Sequence, residues 1–174
     1  MPYLLSMLFA LGIAHAGNLT LMSDDISSQL SLEQVLDRYG CNGENISPAL
    51  TWTNAPVSTK SFAITMYDPD ASNGWWHWIV YDIPPTETSI SRDASALGAL
   101  PKGSIESATS FGEIGFGGAC PPKGDSDHGY IFTVYALDVE KLGLSKDANP
   151  ASVQHHIDMH TIQKSSITSY YGRK

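Results

Sequence analysis

Three runs of the chain are apolar on both faces of an extended backbone: Ser61–Tyr67, His77–Ile83 and His128–Leu137. β-branched and aromatic residues fill all three, and Gly, Pro, Asn and Asp cluster between them, so each is predicted as an interior strand of a packed sheet system. Ahead of them, Ser31–Gly40 reads as a short helix, with Ser31 and Gln34 in capping-box spacing and Gly40 as a stop. The stretch 84–127 is rich in Gly, Ser and Pro and is predicted to hold short strands, such as Ser104–Ser110, among functional turns. From Ala151 the spacing turns weakly helical. Val153, Ile157 and His160 share a face behind Asn149-Pro150, which predicts one or two C-terminal helices ending at Gly172.

The first residues follow another pattern. Tyr3–Ala14 is mostly apolar and uncharged, and Ala14-His15-Ala16 fits a small-x-small cleavage site before Gly17. Residues 1–16 are expected to be a signal peptide and 17–174 a single domain, in a periplasmic or secreted protein without a transmembrane anchor. The 174 residues are 42% hydrophobic and 16% charged, a globular composition. A net charge of −8, with no Lys/Arg run, excludes a general affinity for nucleic acid or anionic membrane surfaces. Any anion site has to be local. The only two cysteines, Cys41 and Cys120, are too far apart for a C-x-x-C motif. In an oxidising compartment they form either one disulfide or two free thiols, and their spacing does not choose between these.

Candidate chemistry sits where the strands meet their loops. Asp68-Pro69-Asp70 ends the first strand. As a phosphotransferase nucleophile it lacks the following Gly-Thr and the alternating helices, so it reads as a turn or as the wall of a ligand site. His77 opens the second strand between Trp76 and Trp78, with Asp70 a short loop upstream, close enough across a hairpin to orient the imidazole and raise its pKa. With strict alternation His77, Ile79 and Tyr81 share one face. The segment Gly115–Phe132 has a glycine-rich approach, the rigid pair Pro121-Pro122, and His128 at the start of the third strand. If the second and third strands point the same way, both histidines lie at one end of the sheet. His155, His156 and His160 lack an H-E-x-x-H pattern and read as packing or surface, so no metal is expected.

Together, "NGENISPALTW", "SFAITMYDPDAS", "GWWHWIVYDIP", "GFGGACPPKGDSDHGYIFTVYALD" and "ITSYYGR" resemble the phosphatidylethanolamine-binding protein family, nearest its bacterial Raf-kinase-inhibitor-like branch. The resemblance covers about Gly40 to Arg173. It implies a mainly β fold, a sandwich of a large central antiparallel sheet and a smaller sheet with short C-terminal helices. It also implies a small pocket at one end of the central sheet that takes phosphate, a carboxylate or a phospholipid headgroup. Carried onto these positions, Asp68 and Asp70 belong to the pocket, with Asp70 the partner of a pocket histidine. His77 is the main anion donor, Pro121 and Pro122 form the wall, His128 and Tyr130 close the site, and Tyr171 covers its mouth. Ala119, Gly129 and Ser72 depart from the family pattern, which often has Pro, Arg and Pro there. The expected protein is a monomeric or dimeric, non-enzymatic, exported binder of a small anion that needs no cofactor. Its rivals are an inhibitor that meets a protease or kinase by protein contact, and a hydrolase using His77 and Asp70.

Overall fold

The three apolar runs form three adjacent strands. They are β3 (Ser61–Asp68), β4 (Trp75–Ile83) and β7 (His128–Leu137), with β3 in the middle and antiparallel to both neighbours. The structure, a computed structural model, describes residues 17–174; the expected signal peptide, 1–16, lies outside the described residues. β6 (Ile105–Glu106) and β8 (Thr161–Tyr171) extend the sheet to the order β6-β4-β3-β7-β8. A smaller antiparallel sheet is built from β1 (Thr20–Met22), β2 (Leu50–Thr53) and β5 (Ser89–Ile90), in the order β1-β2-β5. The fold is therefore mainly β, two sheets with few helices, as expected.

Alternation along the central strands divides the core in two. Phe62, Ile64, Met66, Trp78, Val80, Phe132 and Val134 point between the sheets and meet Leu21 and Trp52 of the small sheet. The Trp52 and Phe62 rings meet edge to face at 5.3 Å. Ala63, Ile79, Tyr81, Tyr135 and Leu137 point the other way and are covered by Val153 and Ile157 of a helix over Pro150–His160. Fully burying each of those two side chains contributes roughly 1.5–3 kcal/mol. That helix begins as its sequence implies, with the Asn149 side chain accepting from the Ala151 N–H and Pro150 in the first turn.

Two segments differ from their sequence reading. Residues 161–171 continue as strand β8, which pairs with β7 from His128↔Tyr171 to Leu137↔Thr161. The residues after His160 are mostly Ser, Thr, Ile and Tyr, and a free edge of β7 offers them a full ladder of hydrogen bonds. At Ser31–Gly40 only a 3-10 turn, Leu32–Gln34, forms. Ser31 does cap it, accepting from the Glu33 N–H. Val35 then turns extended and bridges to Ala119. Ser104–Ser110 contributes only the two residues of β6. Among the described residues no helix is long and apolar enough to cross a membrane.

Cys41 and Cys120 are joined by a disulfide across a sequence separation of 79, with Cα atoms 5.7 Å apart. It fastens the loop after the 3-10 turn to the loop that leads into β7. The Arg173 guanidinium reinforces that junction, donating to the carbonyls of Pro121 at 2.7 Å and Gly40 at 2.9 Å.

Candidate functional site

Because β4 and β7 both run antiparallel to β3, they run parallel to each other and begin at the same end of the sheet. This places His77 near the start of β4, His128 at the start of β7 and Asp68 at the end of β3 in one neighbourhood. Alternation sends Asp68 to the inter-sheet side along with Ile64 and Met66, and His128 and Tyr130 to the same side along with Phe132.

His77 gets there by a different route. Met66 pairs with Trp78 and Tyr67 with Trp76, so His77 is an extra residue on β4, a β-bulge. Trp76 stays on the helix-covered face, stacked on Tyr67 at 4.2 Å, while Ile79 and Tyr81 occupy that face farther along. The bulge rotates His77 off that face and against the Tyr130 ring, 5.2 Å away. The expected sharing of a face by His77, Ile79 and Tyr81 does not hold, because a bulge resets the two-residue period.

These residues line a cavity of about 290 Å³. Of the residues singled out from the sequence, Asp68, Asp70, His77, Pro121, Pro122, His128 and Tyr130 all border it. Tyr171 does not. It sits opposite His128 on β8 and packs on the inter-sheet core. Ala71, Ser72, Trp75, Phe111, Cys120 and Asp125 complete the wall. Phe111 comes from a loop with no readable pattern. Asp125 carried a usable signal, three residues before His128 on the same turn.

The hydrogen bonds are partnered differently from the sequence expectation. Asp68, not Asp70, holds a histidine: its Oδ2 accepts from His128 Nδ1 at 2.7 Å, and its Oδ1 accepts the N–H groups of Asp70 and Ala71. Asp70 lies in the turn beyond the strand, where its carboxylate accepts the Gly129 N–H at 2.7 Å and does not bond to His77. A Cβ at Gly129 would stand 3.2 Å from the Tyr170 ring and 3.5 Å from Asp70 Oδ2, so a cation there would start beside a carboxylate that now has only a backbone donor.

His77 Nδ1 lies 2.7 Å from the Gly117 carbonyl. A carbonyl only accepts, so Nδ1 carries the hydrogen, and in the neutral ring Nε2 holds a lone pair. Burial pushes the His77 pKa down to about 4, against smaller opposing effects from the Gly117 carbonyl and the Asp68 charge. The ring is therefore neutral at neutral pH, the reverse of the carboxylate-raised imidazole expected from sequence. Tyr130 is fully buried; the Cys120 backbone N–H approaches its oxygen, but among the described residues its O–H has no acceptor. Burial and the nearby Asp68 charge raise its pKa far above the ordinary range, so it remains a neutral O–H donor. Three carboxylates and no Lys or Arg border the cavity.

Elsewhere, His156 Nδ1 bonds the Ser152 carbonyl and His160 Nδ1 bonds Asp138. Among the described residues no group of His, Cys, Asp and Glu is arranged to hold a metal ion.

The family model described as phosphatidylethanolamine-binding protein matches residues 26–172. The chain is 43% identical over 167 residues to UPF0098 protein YbcL of Escherichia coli (strain K12), covering 92% of this chain and 91% of that protein. It is 40% identical over 157 residues to UPF0098 protein YbhB of the same organism, covering 87% and 99%. The crystal structure of E. coli YbcL, described as a new member of the mammalian PEBP family, superposes with a TM-score of 0.87 at 42% identity, covering 91% of this chain and all of that one. The homolog CT736 from Chlamydia trachomatis gives 0.71 at 27% identity, covering 90% and 99%.

Proposed function

The chain belongs to the phosphatidylethanolamine-binding protein family, and from that premise we propose that it binds a small anion in the cavity between His77 and His128 without transforming it. The observation that carries this reading is the cavity itself, where the His77 and His128 imidazoles meet at one end of the sheet and His77 Nε2 has no partner among the described residues. The rest of the wall is rigid. Pro121-Pro122 follow a disulfide cysteine, and Arg173 holds the Pro121 carbonyl.

Binding rather than catalysis is supported by how the histidines are used. His77 is backed by a carbonyl rather than by Asp70, and among the described residues no Ser, Thr or Cys side chain is hydrogen-bonded to either Nε2. Export to an oxidising compartment is supported by the Cys41–Cys120 disulfide and the apolar segment before Gly17. The intact mass of the protein from its native host is expected to start at Gly17, and a retained Met1 in a cytoplasmic fraction refutes export.

Calorimetric titration of inorganic phosphate into the wild type and His77→Ala, beside thermal melts of both, tests the site. The wild type should bind, and the variant should bind roughly tenfold more weakly while staying folded. A wild type that takes up no phosphate at millimolar concentration ends the proposal.

A further inference from the structure

The helix-covered face of the sheet carries a second concavity, a groove of about 870 Å³ that shares no lining residue with the cavity at His77. Its walls are the β3–β4 turn, the loop 108–114 and the first turn of the helix over Pro150–His160. We infer that this groove binds an uncharged saccharide, which lays the C–H face of a sugar ring on Trp76 and turns its hydroxyls to Asn73, Asp147 and Asn149.

Trp76 is the one aromatic residue of the groove, and it is held in place. Tyr67 backs its ring at 4.2 Å. Ser110 fixes its backbone from both directions: the Ser110 N–H donates to the Trp76 carbonyl at 3.0 Å, and the Ser110 hydroxyl oxygen accepts the Trp76 N–H at 2.9 Å. The Tyr67 hydroxyl lies where a side chain at position 74 would stand, so Gly74 is what lets the two rings stack. A platform that is rigid before binding gives up little entropy when a ligand covers it. One edge of it is polar, because the indole N–H donates to nothing among the described residues.

The polar groups choose among ligand classes. The Asn73 and Asp147 side chains are exposed and have no hydrogen-bond partner among the described residues. Asn149 Oδ1 accepts the Ala151 N–H, which leaves the Asn149 NH2 group free. Glu113 is already tied to Arg38 at 2.6 Å. No Lys or Arg lines the groove, so an anion would meet Asp147 with no cation to offset it. The helix start is closed to an anion as well: Pro150 has no N–H, and Asn149 has taken that of Ala151. A cation carries donors only and would leave the indole N–H and both amide NH2 groups without acceptors. An aliphatic chain would cover the ring and strip these groups of water. A hydroxyl both donates and accepts. A sugar therefore serves Asp147 and the N–H donors together while its apolar face covers the indole.

Two-dimensional NMR of the oxidised protein, with the Trp76 indole N–H assigned through Trp76→Phe, tests this. The probes are cellotriose, maltotriose and triacetylchitotriose at tens of millimolar, beside tetramethylammonium and inorganic phosphate. At least one trisaccharide should shift the Trp76 indole and the Asn73 and Asn149 side-chain amides in a saturable way. Asp147→Ala should weaken that binding roughly tenfold and Asp147→Asn, which keeps an acceptor, less, while both variants melt as the wild type does. Phosphate should not displace the sugar. No shift from any of the three trisaccharides overturns the inference. Tetramethylammonium binding more tightly than the sugars assigns the groove to a cation and overturns it too, as does displacement of the sugar by phosphate.

Discussion

β4 is interrupted twice, and its two ends use the same backbone device for different purposes. Near its start the bulge at His77 turns an imidazole toward the cavity. Near its end the register slips again between Val80 and Ile83, and Asp82 takes a left-handed conformation, φ 57°. Both residues are buried and both are titratable. Asp82 has neighbours for both oxygens, the Leu142 N–H at 2.8 Å and Lys141 Nζ at 3.8 Å. His77 engages one nitrogen and leaves the other to a cavity. A buried polar residue on a bulge is thus not itself a sign of function; the unused hydrogen-bonding capacity is.

The largest test strikes the covalent wall that only the His77 end has. Replacing both cysteines, Cys41→Ser with Cys120→Ser, should cost about 4 kcal/mol by the chain-entropy argument for a closed loop of this length. It should also weaken phosphate binding, because Cys120 borders the cavity. Denaturant melts and calorimetry measure the two losses, and unchanged affinity would show that the wall stands without its bond.

Acid separates the two ends by sign. The unfolded chain protonates His77 near its ordinary value of 6.5, but the folded chain does so only near 4. Stability should therefore drain away as pH falls through that window, by about 3 kcal/mol at most, and His77→Gln should flatten the decline. Asp82 runs the other way. Burial raises its pKa despite the Leu142 N–H and Lys141, so the folded state takes up that proton before the unfolded chain does, and acidification relieves a cost there. Urea melts at several pH values, on wild type and each variant, resolve the two contributions.

A smaller effect is expected from Asp82→Ala, which removes the acceptor for Leu142 and places a Cβ-bearing residue without a local hydrogen bond in the left-handed region. A loss of about 1–3 kcal/mol with unchanged phosphate affinity is expected. The smallest change is Tyr130→Phe. It deletes a buried hydroxyl whose O–H has no acceptor, so Tm should hold or rise slightly, while phosphate binding falls several-fold. If instead Tm drops and affinity holds, the hydroxyl serves the fold.

The central strands were legible because burial on both faces leaves an unmistakable apolar run; His128–Leu137 has the same ends in sequence and structure. β8 was not, since a half-exposed polar edge strand carries no such run, although Thr161, Ile162, Ile167 and Thr168 favour extended backbone. In the site, the residue types and their shared end of the sheet could be read, but their partners could not. Asp68 was recoverable by counting in twos from Ile64. The rotation of His77 was not, because a bulge exists only in the pairing of β3 with β4. The acceptor polarity of His77 depends on the Gly117 carbonyl, 40 residues away, and no local pattern announces it.

The ladder from Ser61↔Leu137 to Tyr67↔Ile131 joins the middle strand to a partner some 70 residues downstream. Until that partner is available, a nascent or truncated chain ending before His128 exposes the inner edge of β3, a run of buried apolar residues with unpaired N–H and C=O groups. Closing so long a loop is slow compared with forming a hairpin. Biogenesis therefore has a vulnerable interval set by topology rather than by stability, and chains stalled or cut before β7 should aggregate, whereas the finished protein, whose sheet ends in the polar, Lys164-bearing strand β8, should not.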